Sequence, residues 1–234
     1  MAADEGPTFR ELVEQALSST QRGYDLLAPK FDQTPFRTPD EVVQRSLVDL
    51  GPVKRSADLC CGTGVGLAGL ATITEEGIVG VDFSEGMLAE ARKRTELLRP
   101  RPELVRSDVF EWDGGGRFDL VTCIGALGHI QDHEVGQFLA VVRRALAAGG
   151  RFVFVTTHEA PVLSRRYLLG RAFNGVMRVR NALLHPPFIM YYLTFELPRI
   201  ERVLRFHGFD VTVDVGRFSG PHRELARVVA TKRP

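Results

Sequence analysis

The chain has 234 residues, of which 44% are hydrophobic and 25% charged, with a formal net charge of +1. That balance is ordinary for a globular protein and lacks the bulk positive field of a non-specific nucleic-acid binder. No apolar run approaches the roughly 20 residues needed to cross a bilayer. Met1-Ala2-Ala3-Asp4-Glu5 lacks the basic-then-apolar order of a signal peptide. Three cysteines, two of them adjacent, give neither a disulfide framework nor a CxxC zinc pair. A reduced, cytoplasmic setting is expected.

Thr8-Phe9-Arg10-Glu11 is a capping box, and Phe9, Leu12, Val13, Ala16 and Leu17 follow at helical spacing, so an amphipathic N-terminal helix is expected. Tyr24 to Pro39 holds prolines and phenylalanines without clear period, which reads as an ordered loop or broken helix. Glu41 to Leu50 reads as a helix ended by Gly51-Pro52. From there strands and helices alternate. Strands are expected at Ala57–Cys60, Ile78–Val81, Leu104–Arg106, Phe118–Ile124 and Arg151–Thr157. Helices are expected at Leu67–Thr72, from the Ser84 cap to about Leu98, and from the Asp132 cap until Gly149-Gly150 stops it. This alternation implies βαβ units and a mainly parallel sheet covered on both faces. The last two runs, Phe209–Val215 and Leu225–Ala230, are joined too briefly for a crossover and should pair antiparallel.

Asp58-Leu59-Cys60-Cys61-Gly62-Thr63-Gly64-Val65-Gly66 is the most telling segment. Glycines on alternate positions let a backbone approach a ligand closely, and the helix that follows presents N–H groups to it. Asp82 ends the next apolar run about 20 residues on, where nucleotide-binding folds place a ribose-gripping carboxylate. Gly64-Val65-Gly66-Leu67-Ala68-Gly69 also fits the dinucleotide fingerprint G-x-G-x-x-G. Its register is wrong for that fingerprint, since Gly62 is the glycine nearest the strand and Gly66 and Gly69 would lie within the helix. An acid ahead of the glycines repels a pyrophosphate and suits a cofactor carrying an ammonium and a sulfonium.

With that segment, Val81-Asp82-Phe83-Ser84-Glu85-Gly86-Met87-Leu88, Ser107-Asp108-Val109, Phe118-Asp119-Leu120-Val121 through Leu127-Gly128-His129-Ile130, and Arg144-Ala145-Leu146-Ala147-Ala148-Gly149-Gly150-Arg151 stand in order. In these motifs the chain resembles the class I S-adenosylmethionine-dependent methyltransferases. Tyr24-Asp25-Leu26-Leu27-Ala28 and Thr34-Pro35-Phe36-Arg37-Thr38-Pro39 make the look closest to the ubiquinone/menaquinone-biosynthesis type. The resemblance implies an α/β fold: a doubly wound, Rossmann-like, seven-stranded sheet, mainly parallel, with an antiparallel C-terminal hairpin. It also implies one methyltransferase domain over 1–234, with N-terminal helices (1–50) over the site and a helical lid at 160–193.

By the same resemblance, S-adenosyl-L-methionine is the cofactor and S-adenosyl-L-homocysteine the product. The backbone of Gly62, Thr63 and Gly64, beside Cys60, would cradle its methionine part, with Asp58 fixing the loop or the ammonium group. Asp82 would accept from both ribose hydroxyls, and Phe83 and Met87 would flank adenine. Asp108 and the Val109 N–H would meet the adenine edge. Ile124 and Gly125 would face the methionine part, and Tyr24 and Arg37 would close over its carboxylate. His129 is the candidate general base or a site-lining residue. The family usually has glycine where this chain has Cys60, which leaves the shape of the turn open. Asp132, His133 and Glu134 lack metal-ligand spacing, and no metal is expected.

Between Ala160 and Leu193 lies an insert with Arg165, Arg166, Arg171, Arg178 and Arg180 and no acidic residue. It reads as a lid over the acceptor, lined by Arg165, Arg166 and Tyr192, as a contact for an anionic membrane surface, or as a dimer contact. Its apolar content points to a small, largely apolar acceptor: quinone-like, aromatic, lipid or secondary metabolite, and no nucleic acid. Two alternatives stand beside this reading: a cofactor-binding module without catalysis that docks a partner, and a methyltransferase acting on protein or RNA. Monomer and homodimer both fit.

Overall fold

The computed structural model describes residues 6–34, 36–191 and 195–234. Among them the alternating pattern forms a seven-stranded sheet in the order β3-β2-β1-β4-β5-β7-β6. Its strands are β1 (Val53–Leu59), β2 (Thr74–Asp82), β3 (Glu103–Arg106), β4 (Phe118–Thr122), β5 (Leu146–Thr157), β6 (Phe209–Asp214) and β7 (Leu225–Lys232). The first five pair parallel. The strand β7 runs antiparallel to both β5 and β6, and its short connection to β6 requires the latter pairing.

The helices are α1 (Phe9–Leu17), α2 (Thr20–Leu27), α3 (Asp40–Leu47), α4 (Val65–Leu70), α5 (Glu85–Thr95), α6 (Val135–Ala145), α7 (Arg165–Leu183) and α8 (Arg199–Phe206). Two expected caps are present: Thr8 forms its capping box with Glu11, and the Ser84 hydroxyl accepts from the Met87 N–H at 3.1 Å. The segment after Tyr24 is a broken helix, α2 continuing into a 3-10 turn over Ala28–Gln33. Two expectations are corrected. The helix α6 stops at Ala145, and Gly149-Gly150 lies inside β5, where the register to β4 shifts between Phe118 and Leu120. Asp132 does not cap α6, which starts after Glu134; its carboxylate takes Arg199 at 2.7 Å instead.

Strand side chains alternate between faces, so each strand feeds two cores. On one face Ala57, Leu59, Phe152, Phe154 and Val228 pack with α6 and α8; on the other Val153 and Leu120 pack with Leu67, Leu88 and Val43. Phe152 and Phe154 lie 5.0 Å apart, and both Phe138 and Phe154 meet Phe195 edge-on at about 6 Å. Phe195 is thereby anchored in the sheet core just after the insert. Removing a fully buried ring costs transfer energy and leaves a cavity. Phe154→Ala should therefore lose about 3–5 kcal/mol in denaturant unfolding.

Candidate functional site

The chain enters the sheet at β1, builds β2 and β3 to one side, then crosses back to place β4 on the other. In open α/β sheets that reversal leaves a crevice beyond the carboxyl ends of the two strands, where ligands bind. Here Cys60 follows β1 and Cys123, Ile124 and Gly125 follow β4. A cavity of about 110 Å³ sits at this place. Twelve of the expected cofactor residues line it: Tyr24, Arg37, Asp58, Cys60, Gly62, Thr63, Asp82, Phe83, Met87, Ile124, Gly125 and His129. Gly64, Asp108 and Val109 lie outside its wall. Gly64 packs toward α5, where an added Cβ would stand 3.2 Å from Ala91. Asp108 bonds its own turn through the Phe110 N–H, and the neighbouring Ser107 N–H donates to the Asp82 carbonyl.

Two buried carboxylates organise the turns. Asp82 accepts from the Gly62 N–H at 2.9 Å with one oxygen and from the Ser84 N–H at 2.9 Å with the other. Burial raises its pKa, against the pull of those two donors. Asp58 accepts from the Thr122 hydroxyl at 2.6 Å, which links β1 to β4. Its other oxygen lies so close to Gly66 that a Cβ there would stand at 2.2 Å, so this helix position must be glycine. Gly69 is also within α4, pressed against Leu47 and Val43. Burial, with the nearby Asp82 charge adding to it, pushes Asp58 from 3.8 up to about 7.

Cys60 holds φ +55, a left-handed backbone that suits glycine and costs a side-chain-bearing residue about 1–2 kcal/mol. The turn thus keeps a glycine-like conformation with cysteine in place. The Cys60 thiol neighbours Cys123, and that neighbour together with burial raises its pKa and holds it protonated.

The N-terminal segment is fastened over this crevice. Asp25 accepts from the Ser84 hydroxyl at 2.6 Å and from the Gly86 N–H at 3.0 Å at the start of α5. Asp32 takes the Thr63 hydroxyl at 2.8 Å and the Arg94 guanidinium. Arg37 reaches Asp40 at 2.5 Å and lies 3.4 Å from Asp32. Phe31, Phe36 and Thr38 come with this segment to line the cavity. Sequence reasoning missed them; the clustered aromatic residues of 24–39 were the available signal.

His129 sits where that segment meets the insert. Its Nδ1 faces the Ile189 carbonyl, which can only accept, so Nδ1 carries the proton. Its Nε2 then accepts the Tyr24 O–H at 2.8 Å, and burial lowers the ring's pKa, keeping it neutral. Tyr24 also stacks on Phe188 of the insert.

A second, larger cavity of about 1070 Å³ opens beneath α7 and shares Gly125 and His129 with the first. Its walls are mostly apolar, with Leu127, Val155, Leu169, Phe173, Val176 and Phe195 among them. Arg165 and Arg166 line it, as expected; Arg166 is held by Glu196, Thr157 and the His158 carbonyl. Burial raises the pKa of Glu196. Tyr192 lies outside the described residues.

The Asp58 shift has a defined sign. Between 3.8 and about 7 the folded chain keeps a proton that the unfolded chain has lost. Stability from this group is therefore full below pH 4 and drains away as pH rises to about 7. Asp58→Asn keeps an acceptor for Thr122 and removes the titration. Its melting temperature should fall less than the wild type's between pH 4 and 7, in thermal scans across that range.

Residues 57–150 match the model of a methyltransferase domain. The chain is 30% identical over 192 residues to a demethylmenaquinone methyltransferase of Staphylococcus aureus, covering 76% of this chain and 77% of that protein. It is 30% identical over 126 residues to the enzyme of the same name from Bacillus mycoides, spanning about half of each, 51% and 52%. A DhpI–SAH complex shares the fold at a TM-score of 0.67 and 23% identity, with 97% of this chain and 100% of that one aligned. The chain belongs to the class I S-adenosylmethionine-dependent methyltransferases.

Proposed function

We propose that the chain methylates a small, largely apolar acceptor, with 1–234 working as one domain whose N-terminal helices and 160–193 insert cover the site. The observation that carries this reading is the meeting of a glycine-turn cavity and a large apolar cavity at Gly125 and His129. The first suits the cofactor on three counts. At Gly62, φ is +52 and an added Cβ would project into open space, so the backbone offers a cradle. Asp82 retains lone pairs beyond those that Gly62 and Ser84 use, enough for two ribose hydroxyls. Asp58 is a buried carboxylate with no cation beside it among the described residues, and an ammonium group would supply one.

When bound, S-adenosylmethionine supplies the activated methyl group, so the protein's task is alignment and exclusion of water. Phe83 and Met87 offer adenine a ring face and a thioether; Asp108 and the Val109 N–H, outside the wall of the cavity as it stands, would meet its edge only in a widened site. Ile124, Gly125, Thr63 and Arg37 enclose the methionine part. The cavity's 110 Å³ is below the roughly 300 Å³ of ordinary ligand sites. Admitting the whole cofactor requires the segment carrying Tyr24, Phe31 and Arg37 to yield outward.

The acceptor lies under α7 with its reacting atom at His129. An O–H or acidic C–H acceptor passes its proton to the Tyr24 oxygen while Tyr24 passes its own to His129 Nε2. The imidazolium so formed is braced by the Ile189 carbonyl. An amine acceptor needs only to be neutral. The two relatives are named for a quinone precursor, and a quinone-like ring fits an apolar cavity of this size.

Calorimetry should show S-adenosylmethionine binding, weakened about tenfold or more by Asp82→Asn, which removes charge-assisted bonds. Extract incubated with enzyme and methyl-labelled cofactor should yield a labelled small apolar molecule by mass spectrometry. With that acceptor, Tyr24→Phe should lower kcat about 10²-fold while the ring still stacks on Phe188. Label confined to protein or RNA would overturn the small-molecule reading.

A further inference from the structure

The helix α7 turns its least polar side to solvent. At roughly 100° per residue, Leu168, Ala172, Val179 and Leu183 share one stripe, opposite the buried Gly170 and Met177. Leu168, Val179 and Leu183 are 49%, 60% and 76% exposed. Arg171 and Arg178 stand exposed along the flank of this stripe. A helix on a water-facing surface has the reverse arrangement, polar residues outward. Just ahead of it, Val162 and Leu163 are 73% and 75% exposed. From 160 to 193 no residue is acidic.

The helix α1 behaves similarly. Phe9 and Leu17 of its apolar stripe are exposed, and the Arg180 guanidinium of α7 donates to the Ser18 carbonyl at 2.8 Å, joining the ends of the two helices.

We propose that this face, centred on α7, seats the protein on the surface of an anionic lipid bilayer. Val179, Leu183 and their neighbours enter the interfacial layer, and Arg171 and Arg178 meet headgroup phosphates. On α7, apolar side chains flanked by cations, with no anion on that helix, are complementary to that surface. Among the described residues no helix is long and apolar enough to cross a membrane, so the contact is peripheral. A second copy of the chain is a poorer occupant. A twofold contact would set this arginine-bearing face against itself, with no acid in the segment to pair.

The adjoining flank of the same helix, through Leu169, Gly170, Phe173 and Val176, walls the larger cavity, with Leu169 and Val176 also exposed at its mouth. Seating α7 on lipid brings that cavity to the source of an apolar molecule. This link rests on the acceptor reading above; the lipid contact itself does not.

The test is sedimentation of the full chain with vesicles of mixed phosphatidylglycerol and phosphatidylcholine, against phosphatidylcholine alone. Binding should favour the anionic vesicles and weaken with salt. Arg171→Gln with Arg178→Gln should lower the partition about tenfold or more, and Val179→Ser with Leu183→Ser likewise. These four side chains are exposed and line neither cavity, so thermal melting and S-adenosylmethionine binding should be unchanged in both variants. No sedimentation with anionic vesicles at low salt would overturn the proposal. So would equal partition of the variants, or a lipid-independent dimer that Val179→Ser with Leu183→Ser abolishes. Failure of the wild type to bind S-adenosylmethionine would count against the methyl-transfer reading alone.

Discussion

Asp82 holds two turns that would otherwise be independent. One oxygen receives the Gly62 N–H from the turn after β1, and the other receives the Ser84 N–H at the start of α5. Because the carboxylate is buried, losing either donor would leave part of a charge without solvent or partner, a costly state. The glycine turn is thus held at a fixed place beside the end of β2. Ser84 then passes the constraint outward: its hydroxyl caps α5 and donates to Asp25, which ties the N-terminal segment to the same point. A single carboxylate therefore sets the position of the turn, the helix and, through one further bond, the cover.

The turn itself is held under strain. Cys60 keeps a left-handed backbone where glycine would be relaxed. Its neighbours over-determine the geometry: the Cys61 N–H bonds the Val81 carbonyl at 3.0 Å, and the Gly64 N–H bonds the Cys61 carbonyl at 2.9 Å. Strain of this kind persists at ligand-binding turns because the surrounding bonds outweigh it. The small thiol, pointing to Cys123, fits where a larger side chain would disturb both strands.

The sheet and the strand-end residues were legible in sequence because each rests on local pattern. Apolar runs marked the strands; Asp58 lies within one, Gly62 follows it and Asp82 ends the next. What was hidden depends on tertiary packing. Phe31, Phe36 and Thr38 reach the crevice only because Asp25 and Asp32 fasten a weakly periodic segment across it. Gly149-Gly150 looked like a helix stop, yet β5 absorbs the pair at a register shift. Asp132 looked like a cap, but Arg199 from α8, remote in sequence, takes its carboxylate. The pairing of His129 with Tyr24 and Ile189 joins three distant segments, and no spacing rule could reveal it.

Electrostatics divides the two cavities more sharply than shape does. On the glycine-turn side, Asp58 and Asp82 are both buried, and the Asp82 charge adds to the burial that pushes Asp58 to about 7. Arg37, the cation on that wall, is already engaged by Asp40 and Asp32. The net field there favours a cationic ligand and disfavours a phosphate, which explains why a glycine-rich turn in this fold need not take a dinucleotide. Beneath α7 the balance reverses: the walls are largely apolar, Arg166 offsets Glu196 at one end, and Arg165 adds a cation there. A neutral ring system loses little on entering such a space, whereas an ammonium would lose its hydration for little return. His129 stands at the boundary, neutral and held at both nitrogens. The donor side is thus dominated by buried carboxylates, whereas the acceptor side offers apolar walls with its charged groups, Arg165, Arg166 and Glu196, gathered near the start of α7.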